Sequence, residues 1–236
     1  MKILAIESSS LVASCALITD GSVAAEYTVC HKKTHSQTLM PMIAEIFKMT
    51  EYEPSDIDAV AVASGPGSFT GLRIGGAAAK GFAEAIDKPV IPVPTVDAMA
   101  MNLFGCRDLI VPMMDARREE TYSGIYTFEG DRLKILVPQN AGPVTKLMEK
   151  VNDLGQRVFF LGDGVPVFKE KLEDGIKCEH YYAAPGLNRQ RAACVGALAQ
   201  GFFEEGRYVS AGDFKPEYLR VSQAEREAAN KANDSL

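Results

Sequence analysis

Short apolar runs broken by polar turns fill the first ninety residues, and their lengths separate strands from helices. Residues 2–6, 13–18 and 22–29 are strand-length runs. They are joined by the polar turn Glu7-Ser8-Ser9-Ser10 and by Asp20-Gly21, a two-residue hairpin signal. Thr34-His35-Ser36-Gln37 predicts a capping box, in which the Thr34 hydroxyl serves a backbone N–H and Gln37 reaches back. The helix that follows carries Leu39, Ile43, Ile46 and Phe47 at helical spacing and ends near Thr50; Met40, Met42 and Met49 widen its apolar face. Asp58-Ala59-Val60-Ala61-Val62-Ala63 reads as a buried strand, 68–86 as a second helix, and 90–93 as a fifth strand. On the second helix Arg73, Lys80 and Glu84 fall on one narrow stripe and nearly all else is apolar or small. One sheet covers one side of such a helix, so a neighbouring helix or another chain is expected on the rest.

The second half repeats the plan. Leu109-Ile110-Val111-Pro112-Met113-Met114-Asp115 echoes Ile3-Leu4-Ala5-Ile6-Glu7, each an apolar strand ending in an acid. Residues 122–128 and 133–137 flank a second turn at Glu129-Gly130-Asp131, a helix follows over 145–151, and 158–161 runs into Gly162-Asp163-Gly164. Self-similarity over about a hundred residues points to a duplicated domain rather than a solenoid. The expected division is an N-terminal lobe at 1–104, a C-terminal lobe at 105–220 and a polar tail at 221–236. A helix over 188–205 has one face made of Ala192, Val195, Leu198, Ala199 and Phe202.

Composition narrows the classes. A chain of 236 residues can bury a sizeable core. The net charge of −6 gives no bulk attraction to nucleic acid or to an anionic membrane. No apolar run reaches transmembrane length, and the apolar N-terminus meets Glu7 and three serines at once, so it is expected to be a strand and not a signal peptide. The five cysteines share no CxxC spacing and are expected as buried thiols in a reducing cytoplasm.

Candidate chemistry sits at strand ends. Ser64-Gly65-Pro66-Gly67-Ser68-Phe69-Thr70-Gly71-Leu72-Arg73-Ile74-Gly75-Gly76 joins a strand to a helix, which is an anion site in principle. It lacks the Gly-Lys-Ser/Thr of a P-loop and the dinucleotide spacing, so the competing reading is a tight turn that lets the helix approach its sheet closely. His31 and His35 have HxxxH spacing, but a helix starting at Thr34 leaves His31 outside it, so no metal is expected there. Glu7, with Ser8, and Asp115 could flank a metal-bound nucleotide or could cap turns. Arg117-Arg118-Glu119-Glu120 reads as a solvated hairpin edge, and Cys15 as a buried small thiol.

A duplicated βββαβα unit with an acid ending the first strand of each half resembles the α/β, ribonuclease H-like plan of the actin, sugar-kinase and chaperone ATPase superfamily. Within it, Ile6-Glu7-Ser8-Ser9, Ser14-Cys15-Ala16-Leu17, His35-Ser36-Gln37, the 64–75 segment, Asp115-Ala116-Arg117-Arg118-Glu119 with Tyr122, Gly162-Asp163-Gly164, and Pro216 with Tyr218-Leu219-Arg220 are similar to the TsaB family. These are bacterial partner proteins in making threonylcarbamoyladenosine at position 37 of tRNA. The resemblance implies a cytoplasmic scaffold with no catalytic residues, metal or cofactor of its own. It would bind a TsaD-like transferase through His35, Leu39, Met42, Ile43, Ile46, Phe69, Leu72, Arg73, Gly75, Ala79 and Phe82. A TsaE-like ATPase would join, tRNA would be met through the complex, ATP or ADP could sit at the TsaD contact, and without TsaD the chain would pair with itself. Glu7, Ser8 and Asp115 would be a vestigial nucleotide cleft. The transferase holds its metal with an HxxxH just after the fifth strand, where this chain has Thr95 and Met99. The competing class is a kinase or metal-dependent glycopeptidase of the same superfamily.

Overall fold

A computed structural model describes residues 1–31 and 34–220; the polar tail expected at 221–236 lies outside them. The first sheet contains β1 (Lys2–Glu7), β2 (Ala13–Thr19), β3 (Ser22–Val29), β4 (Ala59–Gly65) and β5 (Val90–Pro94), in the order β3-β2-β1-β4-β5. β1 runs antiparallel to β2, with Ile6 opposite Cys15, and parallel to β4, with Ile6 opposite Val62. Asp20 and Gly21 both take positive φ, 49° and 79°, as the tight hairpin turn requires. The second sheet contains β6 (Leu109–Asp115), β7 (Glu120–Glu129), β8 (Arg132–Pro143), β9 (Val158–Leu161) and β10 (His180–Tyr182), in the order β10-β9-β6-β7-β8. The two orders are the same when each half is counted from its own first strand, so the duplication is one of topology as well as pattern.

Helices cover both faces of each sheet, which is why β1, β4 and β6 are continuously apolar. On the first sheet, α1 (His35–Thr50) and α2 (Phe69–Ala85) close one face around Leu4, Ile6, Leu17 and Val60. The opposite face is closed by α6 (Ala192–Glu204), whose Ala192, Val195 and Ala199 meet Ile3, Ala5 and Ile18. On the second sheet, α4 (Val144–Leu154) and α5 (Gly164–Gly175) cover one face. The other receives α3 (Thr95–Ala100), through Val96, Met99 and Ala100 against Ile110, Met114 and Tyr126. The expected C-terminal lobe at 105–220 is therefore not one unit: α6 returns to the first sheet. Its polar entry is held by Arg191 to Glu26 and by Ala192 N donating to Ser14 Oγ at 3.0 Å.

After α6 the chain crosses α2 as a strap, 206–220. Val209 bridges to Val90, Lys80 Nζ donates to Gly212 O at 3.0 Å, Phe214 lies against Gly76, and Glu217 N donates to Ser64 O at 2.7 Å. The strap thus covers part of the charged stripe predicted on α2.

Several expectations are corrected. Thr34 caps no backbone N–H with its side chain; its hydroxyl lies 3.2 Å from Ser36 Oγ, and the first turn closes through Gln37 N to Thr34 O at 3.0 Å. Thr34 and Gln37 are both exposed, so water competes for the capping bonds. The helix expected from 188 begins at Ala192, because Arg191 is extended toward Glu26. The short α3, α5 and β10 were not predicted, and β8 continues six residues past its expected end at 137.

The glycines of α2 divide into two kinds that a substitution can separate. A Cβ on Gly71 would run into the Ser8 carbonyl, whereas a Cβ on exposed Gly81 meets nothing within 4 Å. Gly71→Ala is expected to lose about 1–3 kcal/mol through overpacking. Gly81→Ala is expected to gain about 0.5–1 kcal/mol from helix propensity. Urea unfolding of both variants checks the contrast.

Candidate functional site

The glycine-rich segment is a docking strip for the β1–β2 turn. Gly67, Gly71 and Gly75 recur every four residues, so they line one side of the α2 entry. A Cβ on Gly67 would meet the Ser9 carbonyl, and one on Gly75 would meet Ser8 Oγ. Hydrogen bonds lock the contact: Ser68 N donates to Ser9 O at 2.7 Å, and Ser8 Oγ donates to Gly71 O at 2.9 Å. Ser68 Oγ accepts from Gly71 N at 3.3 Å and caps the helix. The close-approach reading of this segment is the one the geometry carries.

Beside this contact a cavity of about 670 Å³ opens between the lobes, lined by Ser9, Ser10 and Phe69 from one side and Asp115, Arg117 and Asp163 from the other. Of the two expected acids, Asp115 lines it and Glu7 lies buried at the end of β1. Glu7 is 1% exposed, and its Oε1 accepts from Ser9 N at 2.6 Å. Burial pushes its carboxyl up to about 7, the Ser9 bonds pull the other way, and Asp163 across the cleft adds repulsion. Asp115 accepts from Arg117 N at 2.8 Å and faces the Arg117 guanidinium at 3.5 Å. Asp163 is an acid that sequence reasoning passed over as part of a glycine turn. Burial raises its carboxyl too, against a 3.1 Å bond from Gln190 Nε2. Its signal was the same one that marked Glu7 and Asp115, an acid ending an apolar strand.

These residues do not fit a metal-bound nucleotide. Burial disfavours a charged Glu7, Asp115 is engaged by Arg117, and Ser8 and the Ser9 carbonyl are bonded to α2 instead of facing the cleft. Arg117, Arg118 and Glu119 all take left-handed φ, 65°, 54° and 62°, an uncommon run for residues with side chains. They are exposed as the hairpin reading expects, with Glu119 paired to Lys171 at 2.6 Å.

The residues expected at a partner surface separate sharply. Leu39, Met42, Ile43 and Ile46 of α1, with Leu72, Gly75 and Ala79 of α2, are buried against the first sheet or the β1–β2 turn. As the chain stands they are core, because the sheet takes the whole apolar stripe that their spacing defines. His35 is half-buried with Nε2 2.8 Å from Ser10 O, and Phe82 stacks on Phe47 at 5.6 Å, joining α1 to α2. Phe69 and Arg73 remain at the surface: the Arg73 guanidinium lies 3.9 Å over the Phe69 ring, and Tyr218 of the strap meets both. With them the outer side of the pair exposes Met40, Met49, Ala77 and Gly81.

Thr95 and Met99 lie on α3 and are buried, Met99 in the second lobe's core. Among the described residues no three of His, Cys, Asp and Glu gather closely enough to hold a metal ion, and no helix is long and apolar enough to cross a membrane. Cys15 is buried, and burial pushes its thiol up to about 12. Cys30 is exposed, against the expectation that every thiol is inside, because it follows the edge strand β3.

Two lobes of matching topology around a cleft define the actin-like ATPase and sugar-kinase class of fold. A solved Pseudomonas aeruginosa protein described as similar to peptidase YeaZ superposes with a TM-score of 0.79, at 24% identity over 93% of this chain and 99% of that one. A family model described as TsaD, tRNA N6-adenosine threonylcarbamoyltransferase, matches residues 28–228. The Bacillus subtilis tRNA threonylcarbamoyladenosine biosynthesis protein TsaB is 31% identical over 95% of this chain and 96% of its own. The Haemophilus influenzae TsaB is 28% identical over 93% and 94%. The chain belongs to the TsaB family.

The raised Glu7 carboxyl predicts a pH-dependent stability. The folded protein holds a proton that the unfolded chain has released by about pH 5, so ionising Glu7 destabilises the fold increasingly up to pH 7 and fully above it. Glu7→Gln should match wild type near pH 4 and exceed it by up to about 3 kcal/mol at pH 8. Equal pH dependence of the two proteins in urea unfolding would contradict the burial assignment.

Proposed function

We propose that this chain acts in the biosynthesis of threonylcarbamoyladenosine in tRNA as a non-catalytic subunit. It binds a TsaD-like transferase and supports threonylcarbamoyl transfer to adenosine 37. The observation that carries this reading is the pair Thr95 and Met99. They stand where the transferase has its metal-binding histidines, and both are buried, Met99 between α3 and the second sheet. Neither side chain can supply an imidazole. The acids support the same reading, since burial disfavours a charged Glu7 and the cleft's Asp115 is tied to an arginine.

The transfer chemistry, its metal and most tRNA contacts then belong to partners, in the cytoplasm where tRNA is. A TsaE-like ATPase joins the assembly, and ATP or ADP, where it binds, sits at the contact with the transferase. The docking surface on this chain is the outer side of α1 and α2, with Met40, Phe69, Arg73, Ala77 and Gly81, rather than the buried stripe beneath it. Small residues at 77 and 81 let a facing helix come close. Without the transferase, the same surface pairs two copies of the chain.

Co-purification with the cognate transferase, together with ATP turnover and metal content of the isolated chain, tests the assignment. Capture with negligible turnover is expected; turnover lost in a Glu7→Ala protein would make the cleft an active site and revive the kinase or glycopeptidase reading. Ile43→Asp or Ala79→Glu places a carboxylate in the first lobe's core and is expected to unfold it. Ala77→Glu leaves the melting temperature near wild type. A desolvated unpaired charge at the contact costs about 3 kcal/mol or more, so capture should weaken at least a hundredfold. Normal melting with undiminished capture by Ala77→Glu would place the contact elsewhere.

A further inference from the structure

The motif Pro216, Tyr218-Leu219-Arg220 is not used by the reading above, and its geometry has a purpose of its own. The strap is fastened to the first lobe along its length, by Val209 to Val90, by Lys80 to the Gly212 carbonyl, by Phe214 on Gly76 and by Glu217 N to Ser64 O. The fit is close enough that a Cβ on Gly65, φ 126°, would strike the Glu217 carbonyl. Its last described residue then reaches the other lobe. The side chain of Arg220, 13% exposed, donates to the Ala116 carbonyl and pairs with the Glu120 carboxylate at 2.7 Å. Ala116 and Glu120 bracket the left-handed turn at 117–119, and Ala116 lines the cleft.

We propose that the strap is an interlobe tie and that Arg220 is its pin, holding the cleft at one width. The chain passes from the first lobe to the second through α3, comes back as α6, and is joined to the second lobe again by Arg220, which closes a ring across the cleft. Other contacts between the lobes lie along the connecting segment: Gln139 Nε2 donates to Gly65 O at 3.2 Å while its Oε1 accepts from Val96 N at 3.2 Å, and α3 lies against α6. The pin fastens a separate point, on the turn after β6. A hinge that closes on a ligand needs that point free. With the pin engaged, the chain presents a fixed lobe angle to whatever it assembles with.

Spin labels carried on unnatural amino acids at Leu11 and Val167 report the cleft width, since both are exposed and line it on opposite lobes. The full-length protein should give one narrow distance distribution. Arg220→Ala should at least double its width or shift it to longer distance, with the circular dichroism spectrum unchanged. Arg220→Gln, which keeps a donor for the Ala116 carbonyl but not the charge, should fall between the two; it serves in place of Arg220→Ala if that variant does not fold. A broad distribution in the unsubstituted protein, or a narrow unchanged one in the folded Arg220 variants, would overturn the tie.

Discussion

The contact between the β1–β2 turn and the glycine stripe of α2 constrains everything near the cleft. A serine turn can approach a helix this closely only where the helix has no Cβ atoms. Gly71 and Gly75 supply that absence in the helix, and Gly67 in the loop before its cap. Once in contact, the polar groups of turn and helix satisfy one another through Ser68 to Ser9 and Ser8 to Gly71, so the junction can be dry. Dryness fixes the state of Glu7. A carboxyl in that position has donors from the serine turn, Ser9 N closest, and little water, and burial outweighs the hydrogen bonds.

The second lobe uses the same device with different residues. Gly162, φ 107°, follows β9, and Gly65, φ 126°, ends β4. A Cβ on Gly162 would strike the Met113 carbonyl near the end of β6. Asp163 is thereby drawn into the cleft, where it raises the cost of ionising Glu7 and Asp115 raises its own. The lobes also exchange cover. α3 leaves the first sheet to close the second, and α6 leaves the second to close the first. Neither sheet is fully covered by residues adjacent in sequence, so each lobe's core depends on the other's chain.

Much of the fold was legible because its signals are local. The strands of both halves except β10, the Asp20-Gly21 hairpin, and α1, α2 and α4 follow from run length, period and turn residues. What was not legible depends on distance along the chain. The helix beginning at Ala192 shows an apolar face in the sequence, but nothing local says which sheet it meets; the choice rests on Ile18, Ala5 and the Glu26–Arg191 pair. The side-chain cap on α1 failed because a motif says which groups could bond, and exposure decides whether water takes them instead. At the site, Glu7 and Asp115 were visible as acids at strand ends. Their difference in environment was not, because it comes from the glycine stripe in one case and from Arg117 in the other. Asp163 carried the same strand-end signal and was hidden by the glycines on either side of it.

The helix pair shows why periodicity alone cannot locate a surface. An apolar stripe at helical spacing marks burial without saying what does the burying. On α1 and α2 the sheet takes that stripe, and the strap takes part of what remains on α2. What is left is a narrow outward row, Phe69, Arg73, Ala77 and Gly81, at the four-residue spacing of a single face. Its charged member is already ordered, with the Arg73 guanidinium held over Phe69 and near Tyr218. A protein docking there, as proposed, meets an arginine that has already lost much of its rotamer freedom, which lowers the entropy lost on binding. That ordering requires the strap to be in place, since Tyr218 arrives with it. A tie that fixes the lobes and a platform that faces a partner are then two consequences of the same fifteen or so residues, roughly one strap's length.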